Sequence, residues 1–436
     1  MTTERPPTLD AAPAAPELLP PAERARIFLY MGGLIVLLAF ADPNGGLMDI
    51  PVSFFLKNKL HLEASEVATF RLLAAIPLYF SFLFGFARDR WVLSGRSDRG
   101  LILLCACSAV ALYLLFAGAG ISYGALLAAM MLLTCVFLFI AAAQSGLMSS
   151  LGQQHAMTGQ ASATSNISAT LPAVAALLVG GSFSQYLESH DASQATTMLF
   201  LAGAAVSTLV AAYALLRPQS VFGDEKTARP ERPHFMEDLR RLARSRAIRP
   251  ALAIWLLWNF APGSTTPLQY HLQNALHAPD SVWGAWNAIF AASFIPTFIA
   301  YAWLCQRVAL KKLLWIGTLI AIPQFVPLLF VQSSTGALIA AIPIGLLGGL
   351  STGAYFDLIM RACPPGLQGT VMMFSTGLYF VSSRFGDVLG TRLYDHFGGF
   401  GICVAMITIV YASILLVLPR IPDALVSYAD GVSPPK

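Results

Sequence analysis

The stretch LLAFADPNGGLMDIP, residues 37–51, lies inside a long apolar run. Residues 27–40 (IFLYMGGLIVLLAF) before it carry no charge, and VSFFL after it continues the apolar pattern to Lys57. In a water-soluble core, a helix would be broken by Asp42, Pro43, Asn44 and two glycines without any return. What the interruption is for depends on the solvent around the helix.

Composition identifies that solvent. Of 436 residues, 56% are hydrophobic and 11% charged, and the mean hydropathy is +0.65. Water-soluble domains carry about 25% charged residues. Apolar runs of the length that crosses a bilayer, about 20 residues, recur from end to end. We place twelve: 27–56, 67–87, 100–119, 123–150, 158–182, 197–216, 250–275, 282–304, 313–331, 336–360, 370–392 and 399–419. These are numbered below as spans 1 to 12. The prediction is an all-α membrane protein of two six-helix halves, 27–216 and 250–419. The halves are flanked by terminal segments 1–26 and 420–436 and joined by a loop, 217–249. Residues 1–22 are Pro/Ala-rich and polar, so disorder is expected there. They lack the compact layout of a signal peptide, so span 1 is expected to remain as a membrane helix.

Orientation follows from the basic residues between spans. One face of the membrane carries 22 Lys and Arg in its loops, both termini included; the other carries Lys57, Lys59 and Arg392. Arg71 and Arg384 lie within spans. The basic face is expected to be cytoplasmic, in the cell's inner membrane. The net charge of +4 therefore reflects topology, and no nucleic-acid partner is expected. The six cysteines show no zinc-site spacing and are expected as small apolar filler. No cofactor is expected.

The central loop RPQSVFGDEKTARPERPHFMEDLRRLARSRAIRP (217–250) contains HFMEDLRRLARSR, which reads either as an amphipathic helix on the inner leaflet or as a solvated linker. Either side of this loop the halves share features. Span 1 is interrupted by DPNGG (42–46) and span 7 by APGSTTP (261–267), while spans 2 and 8 carry Pro77 and Pro296. Paired, Gly/Pro-interrupted helices in corresponding positions of two halves point to a transporter's binding site. Irregular backbone at membrane depth is tolerated only against protein or a water-filled cavity. The break at 42–46 is thus expected to face a polar cavity, where Asp42 meets water, a partner or a solute.

After span 2 comes GFARDRWVLSGRSDRG (85–100). With its Gly85, Asp89, Arg90, Gly95 and Arg96, it resembles the loop signature of the major facilitator superfamily. The resemblance implies a Gly for close helix approach and an Asp that caps a neighbouring helix and pairs with a basic-face Arg, closing the gate. The matching segment after span 8, WLCQRVALKK, keeps the basic residues but has no acid. Four further stretches resemble the folate–biopterin transporter family: DIPVSFFLKNKLHLEASEVATF (49–70), IPLYFSFLFG (76–85), WNFAPGSTTPLQYHLQNAL (258–276) and YFDLIMRACPPGLQGTVMMF (355–374). Two departures argue against carrying over a pteridine or folate specificity. Where that family has Lys-Pro in helix 2, this chain has Ser81-Phe82, and span 4 (FIAAAQSGLMSSLGQQ, 139–154) offers Gln144 in place of acids.

Polar residues inside a membrane span are costly and usually functional. The substrate or coupling candidates are Asp42, Asn44, Arg71, Gln144, Asn259, Gln269, His271, Asp357, Arg384 and Asp387; the gating candidates are Gly85, Asp89, Arg90, Arg96 and Arg361. For Arg71 the alternative is snorkelling to the interface. Arg384 and Asp387 stand three apart and are expected to pair, as are Asp357 and Arg361 four apart. Trp255, Trp258, Trp283, Trp286, Tyr270 and Tyr355 suit either a planar solute or plain packing.

The histidines show no paired ligand spacing, and G-x-x-x-x-G-K-[ST] does not occur. The chain therefore reads as a monomeric, non-enzymatic secondary transporter of a small polar or organic solute. Its coupling ion is expected to be a proton, with sodium as the alternative, because a carboxylate kept from water favours protonation or a bound cation. A channel, a scramblase or a transport-inactive sensor on the same fold are the competing readings.

Overall fold

A computed structural model describes residues 18–93, 96–118, 122–216, 218–222, 240, 242–397 and 399–432. Most of the N-terminal segment, Gly95 and most of the HFMEDLRRLARSR stretch lie outside them. The described residues are helical and follow the order of the twelve spans. Nine spans are helices long and apolar enough to cross a bilayer; the exceptions among the described residues are spans 2, 7 and 11. Span 2 is divided into Ala64–Ala74, Ile76–Tyr79 and Phe82–Leu93. Pro77 cannot donate to the preceding turn, and Ala75 and Phe80 form the two joints. Span 7 is interrupted, and span 11 (Gln368–His396) is continuous but carries Arg384, Asp387, Arg392 and Asp395. Pro296 and Pro343 are absorbed within the unbroken helices Asp280–Leu304 and Ser334–Ala362.

Packing repeats across the two halves. Span 1 lies against span 5 as span 7 lies against span 11, and span 3 against span 6 as span 9 against span 12. Between halves, span 2 crosses span 11 and span 5 crosses span 8. Small residues permit these crossings: a Cβ on Gly85 would run into the Gly369 backbone, and one on Gly159 would lie 2.6 Å from Cys305 Cβ. The outer surface is apolar, with Leu29, Phe330 and Leu416 at least 70% exposed. Such a surface suits lipid. The largest buried cluster joins residues of both halves, among them Met31, Leu147, Tyr301, Tyr355 and Met372.

Candidate transport site

Each half contributes one broken span, and the two breaks are built alike. Span 1 runs as Pro21–Ala41, breaks at Asp42–Gly45, resumes as Gly46–Phe54 and ends in a π-helical turn, Phe55–Lys59. Span 7 runs as Ile248–Asn259, breaks at 260–265, resumes as Thr266–Tyr270 and ends in a π-helical turn, His271–Ala275. Each turn is followed by a histidine with left-handed backbone, His61 at φ 53° and His277 at φ 47°. The sequence underneath is a short repeat, Leu56-Lys57-Asn58-Lys59-Leu60-His61 against Leu272-Gln273-Asn274-Ala275-Leu276-His277. Asn58 donates to Glu188 at the end of span 5, and Asn274 bonds Tyr394 at the end of span 11. A four-residue identity scattered over six positions is easily overlooked in sequence; the shared π-turn exposes it. Counting 1.5 Å per residue from the starts of the apolar runs at residues 27 and 250, the breaks begin roughly 22 and 15 Å in from the basic face, both within the middle part of a hydrocarbon core about 30 Å thick.

At the first break, Asp42 Oδ1 accepts the Asn44 N–H at 2.9 Å, and its carbonyl accepts from Gly45 N. The Asn44 amide donates to Thr134 Oγ1 on span 4 at 3.0 Å. Span 5 passes so close that a Cβ on Gly180 would run into the Gly46 carbonyl. Asp42 is thus half-buried, with one oxygen used by its own turn.

The second break is organised by span 11. Asp387 Oδ1 accepts Thr266 N and Thr265 Oγ1, and Oδ2 accepts Thr266 Oγ1 at 2.9 Å. Gly263, at φ 119°, lies against Gly390 and Cys403. The expected Arg384–Asp387 pair is therefore absent: the carboxylate caps the resumed helix 266–270, and Arg384 is exposed with no hydrogen-bond partner among the described residues. The i,i+3 spacing permitted the pair, but three neutral donors converging from span 7 take the carboxylate's oxygens.

The other candidates divide by depth. Arg71 bonds Asp49 at 3.0 Å and Ser53 at 2.6 Å, half-exposed near the end of spans 1 and 2 opposite the basic face. Asn259 donates to Trp255 within its own helix, and the His271 ring stacks on Phe400 at 4.5 Å. Gln144 and Gln269 are partly buried. Trp258 packs between Tyr355 and Tyr411, and Trp283 stacks on Trp286.

The gate residues form two buried ion clusters at the basic face. In the first, Asp89 Oδ1 accepts Gly369 N at 3.0 Å, and Oδ2 accepts Thr370 N and Oγ1, both at 2.7 Å. Asp89 thereby caps span 11 of the opposite half. Its arginine is Arg88, which donates to Asp89 at 2.9 Å and grips Asp98 with two nitrogens. Arg90 and Arg96, the expected partners, are exposed, and Arg96 stacks over Trp91 at 4.6 Å. Both arginines flank Asp89 on the helix Phe82–Leu93, but Arg88 is buried with it and Arg90 is exposed; loop spacing alone did not resolve that choice. In the second cluster, Arg361 donates to both Asp357 oxygens, Nε at 2.9 Å and Nη2 at 3.3 Å, and to Thr158 of span 5 at 3.1 Å. Tyr301 O–H donates to Asp357 at 2.8 Å.

Hydrogen bonds between halves run from mid-span to the basic face. They include Ser81 to Met373, Ser162 to Gly353, and Gln153 to Met360 and Cys363. The halves are thus sealed on the basic side of the two breaks.

Among solved structures, an outward-conformation structure of the fucose transporter FucP is similar at a TM-score of 0.70, 16% identity, covering 91% of this chain and 99% of that one. The proton:xylose symporter XylE is similar at 0.65, 13% identity, 91% and 96%. The human organic anion transporter MFSD10 is similar at 0.64, 16% identity, 92% and 100%. No curated protein matches by sequence. The family model described as Major Facilitator Superfamily matches residues 50–391. With twelve helical spans in two alike halves and that match over most of its length, this multi-pass integral membrane protein belongs to the major facilitator superfamily of transporters.

Proposed function

We propose that this chain moves a small polar or organic solute across the cytoplasmic membrane by alternating access, driven by protons, with its basic face and both termini in the cytoplasm. One observation carries the reading: a span from each half breaks in the middle part of the membrane, and the seal between halves lies on the basic side of both breaks. That arrangement suits an outward-facing carrier, whose solute site lies between the breaks and opens away from the cytoplasm. The solute would meet Asp42 and Asn44 on span 1, Asn259, Gln269 and His271 on span 7, Gln144 on span 4 and Arg384 on span 11. Asp42 is the coupling residue in this reading, since an ionised carboxylate at that depth is costly without a proton or cation. The 22-to-3 excess of basic residues supports the orientation. Similar folds include a fucose:proton symporter of E. coli, a proton:xylose symporter and an organic anion transporter, so sugars and organic anions are the first solutes to try.

The test starts with a thermal-shift screen of such solutes on the purified protein, since a ligand of the folded state raises its stability. A hit is then followed into proteoliposomes. Asp42→Asn is expected to abolish pH-gradient-driven accumulation while sparing solute exchange. Accumulation equal to the parent, with the same pH dependence, overturns Asp42 as the coupling group.

A further inference from the structure

The first gate cluster follows a simple plan. One aspartate, at the end of span 2, caps the N-terminus of a helix in the opposite half, and an arginine bridges it to a second aspartate. The pseudo-symmetric counterpart lies at the end of span 8, facing the N-terminus of span 5. Its loop, CQRVALKK (305–312), contains no acid. The cluster is nevertheless complete. Asp430, from the tail beyond span 12, places Oδ2 at 2.9 Å from Gln160 N and also accepts from Gly159 N, in the first turn of span 5. Its Oδ1 accepts from Arg361 Nη2 at 2.9 Å, and Arg361 bridges to Asp357. The tail is pinned by Asp430 N donating to Cys305 O and Gly431 N to Ala156 O, at 2.9 and 2.7 Å. Arg361 Nη1 further donates to the Leu425 and Tyr428 carbonyls, and its guanidinium covers the Tyr428 ring. Asp430 is 5% exposed, although it lies near the end of the chain.

We infer that Asp430 is a gating residue of the transport cycle: the C-terminal tail supplies the acid missing after span 8 and clasps span 5 to the second half whenever the basic face is closed. The physical case is the match of parts. Two arginine-bridged aspartate pairs close the same face, each aimed at a helix N-terminus across the boundary, where backbone N–H groups have no intrahelical partner. The tail bonds both halves, at Ala156 and Gln160 on one and at Cys305 and Arg361 on the other, so the halves cannot part there without undocking it. The cycle then contains a tail-release step. This inference rests on the alternating-access reading. Its test reads closure without any solute, so the two fail separately. Uptake without a clasp effect removes the tail; a clasp effect without uptake removes the carrier.

Three cysteines report the state of the full-length protein in proteoliposomes. Cys305 and Cys363, 1% and 3% exposed, lie within the seal, whereas Cys105, 7% exposed, lies in the core of the first half. Labelling by N-ethylmaleimide is followed at each cysteine by peptide mass spectrometry. Asp430→Ala removes every acceptor and should raise labelling of Cys305 and Cys363 about tenfold, as expected for losing a buried charge-assisted set, with Cys105 unchanged. Asp430→Asn keeps an acceptor for Gln160 and should raise it about threefold or less. Gly431→Pro is the second variant, in case Asp430→Ala loosens the fold and exposes Cys105. At φ 79°, with its N–H bonded to Ala156, Gly431 occupies a position proline cannot adopt, while Asp430, Arg361 and Asp357 all remain. It should raise Cys305 labelling selectively. Labelling of Cys305 that stays at the parent rate in both variants, or rises only in step with Cys105, overturns the clasp.

Discussion

Arg384 and Asp387 stand one helical turn apart, yet the carboxylate serves the break of span 7 and not its neighbour. The two residues should therefore act independently. Asp387→Ala is expected to destabilise the protein by about 1–2 kcal/mol, as for loss of a helix cap. Arg384→Ala should be neutral for stability but weaken binding of an anionic solute, and the double variant should be additive within about 0.5 kcal/mol. Thermal or denaturant unfolding in detergent, run as a double-mutant cycle, checks this. Asp430 makes a different prediction. Burial, and then Asp357, push its carboxyl up to about 7 against the pull of Arg361. Tyr301 and Cys305 of span 8 and Tyr428 of the tail also face this cluster. Released into water, the carboxyl returns to the ordinary range, so the closed form binds its proton more tightly. The proton's contribution to closure is complete at acid pH and lost as pH rises through about 7. Cys305 labelling should accelerate as pH rises from about 4 to about 7 and level off above, once corrected for thiolate chemistry with Cys105, and Asp430→Asn should flatten that rise.

At the scale of elements, the broken spans depend on the helices behind them. Span 5 offers Gly180 where the Gly46 backbone crosses, and span 11 offers Gly386 and Gly390 where Ala261 and Gly263 cross. A side chain at Gly180 must displace backbone, so Gly180→Val should cost about 1–3 kcal/mol by overpacking. Gly181→Val, one residue on with nothing within 4 Å of its Cβ position, should be tolerated. A melting-temperature comparison of the two decides it, and equal losses would show that helix propensity, not the crossing, sets the cost. The breaks, their matching positions in two halves and the mid-helix prolines were all legible in sequence, because Gly and Pro signal through the backbone irrespective of context. The π-turns were not, since the repeat beneath them, Leu-x-Asn-x-Leu-His, matches at only four scattered positions.

At the scale of the whole molecule, the two clasps close one face and should share its stability. Asp89→Ala alone, like Asp430→Ala alone, should open the basic face partially. Together they should raise Cys363 labelling beyond either, with Cys105 still protected; a double variant no more open than Asp89→Ala would assign closure to the first clasp alone. Hydropathy, charge asymmetry and the interrupted spans determined by themselves that this chain crosses a membrane many times in two alike halves, because lipid imposes its length and polarity on every segment separately. The loop acid Asp89 and the pair Asp357–Arg361 were also legible, as local patterns in charge-poor surroundings. The tertiary structure alone decided which groups meet. It chose Arg88 over Arg90, joined Asp387 to Thr265 and Thr266, and brought Asp430 to Gln160 across 270 positions. Sequence spacing ranks partners on one helix, whereas an ion pair or cap between helices is set by which side chains the packed halves leave within about 3 Å of each other.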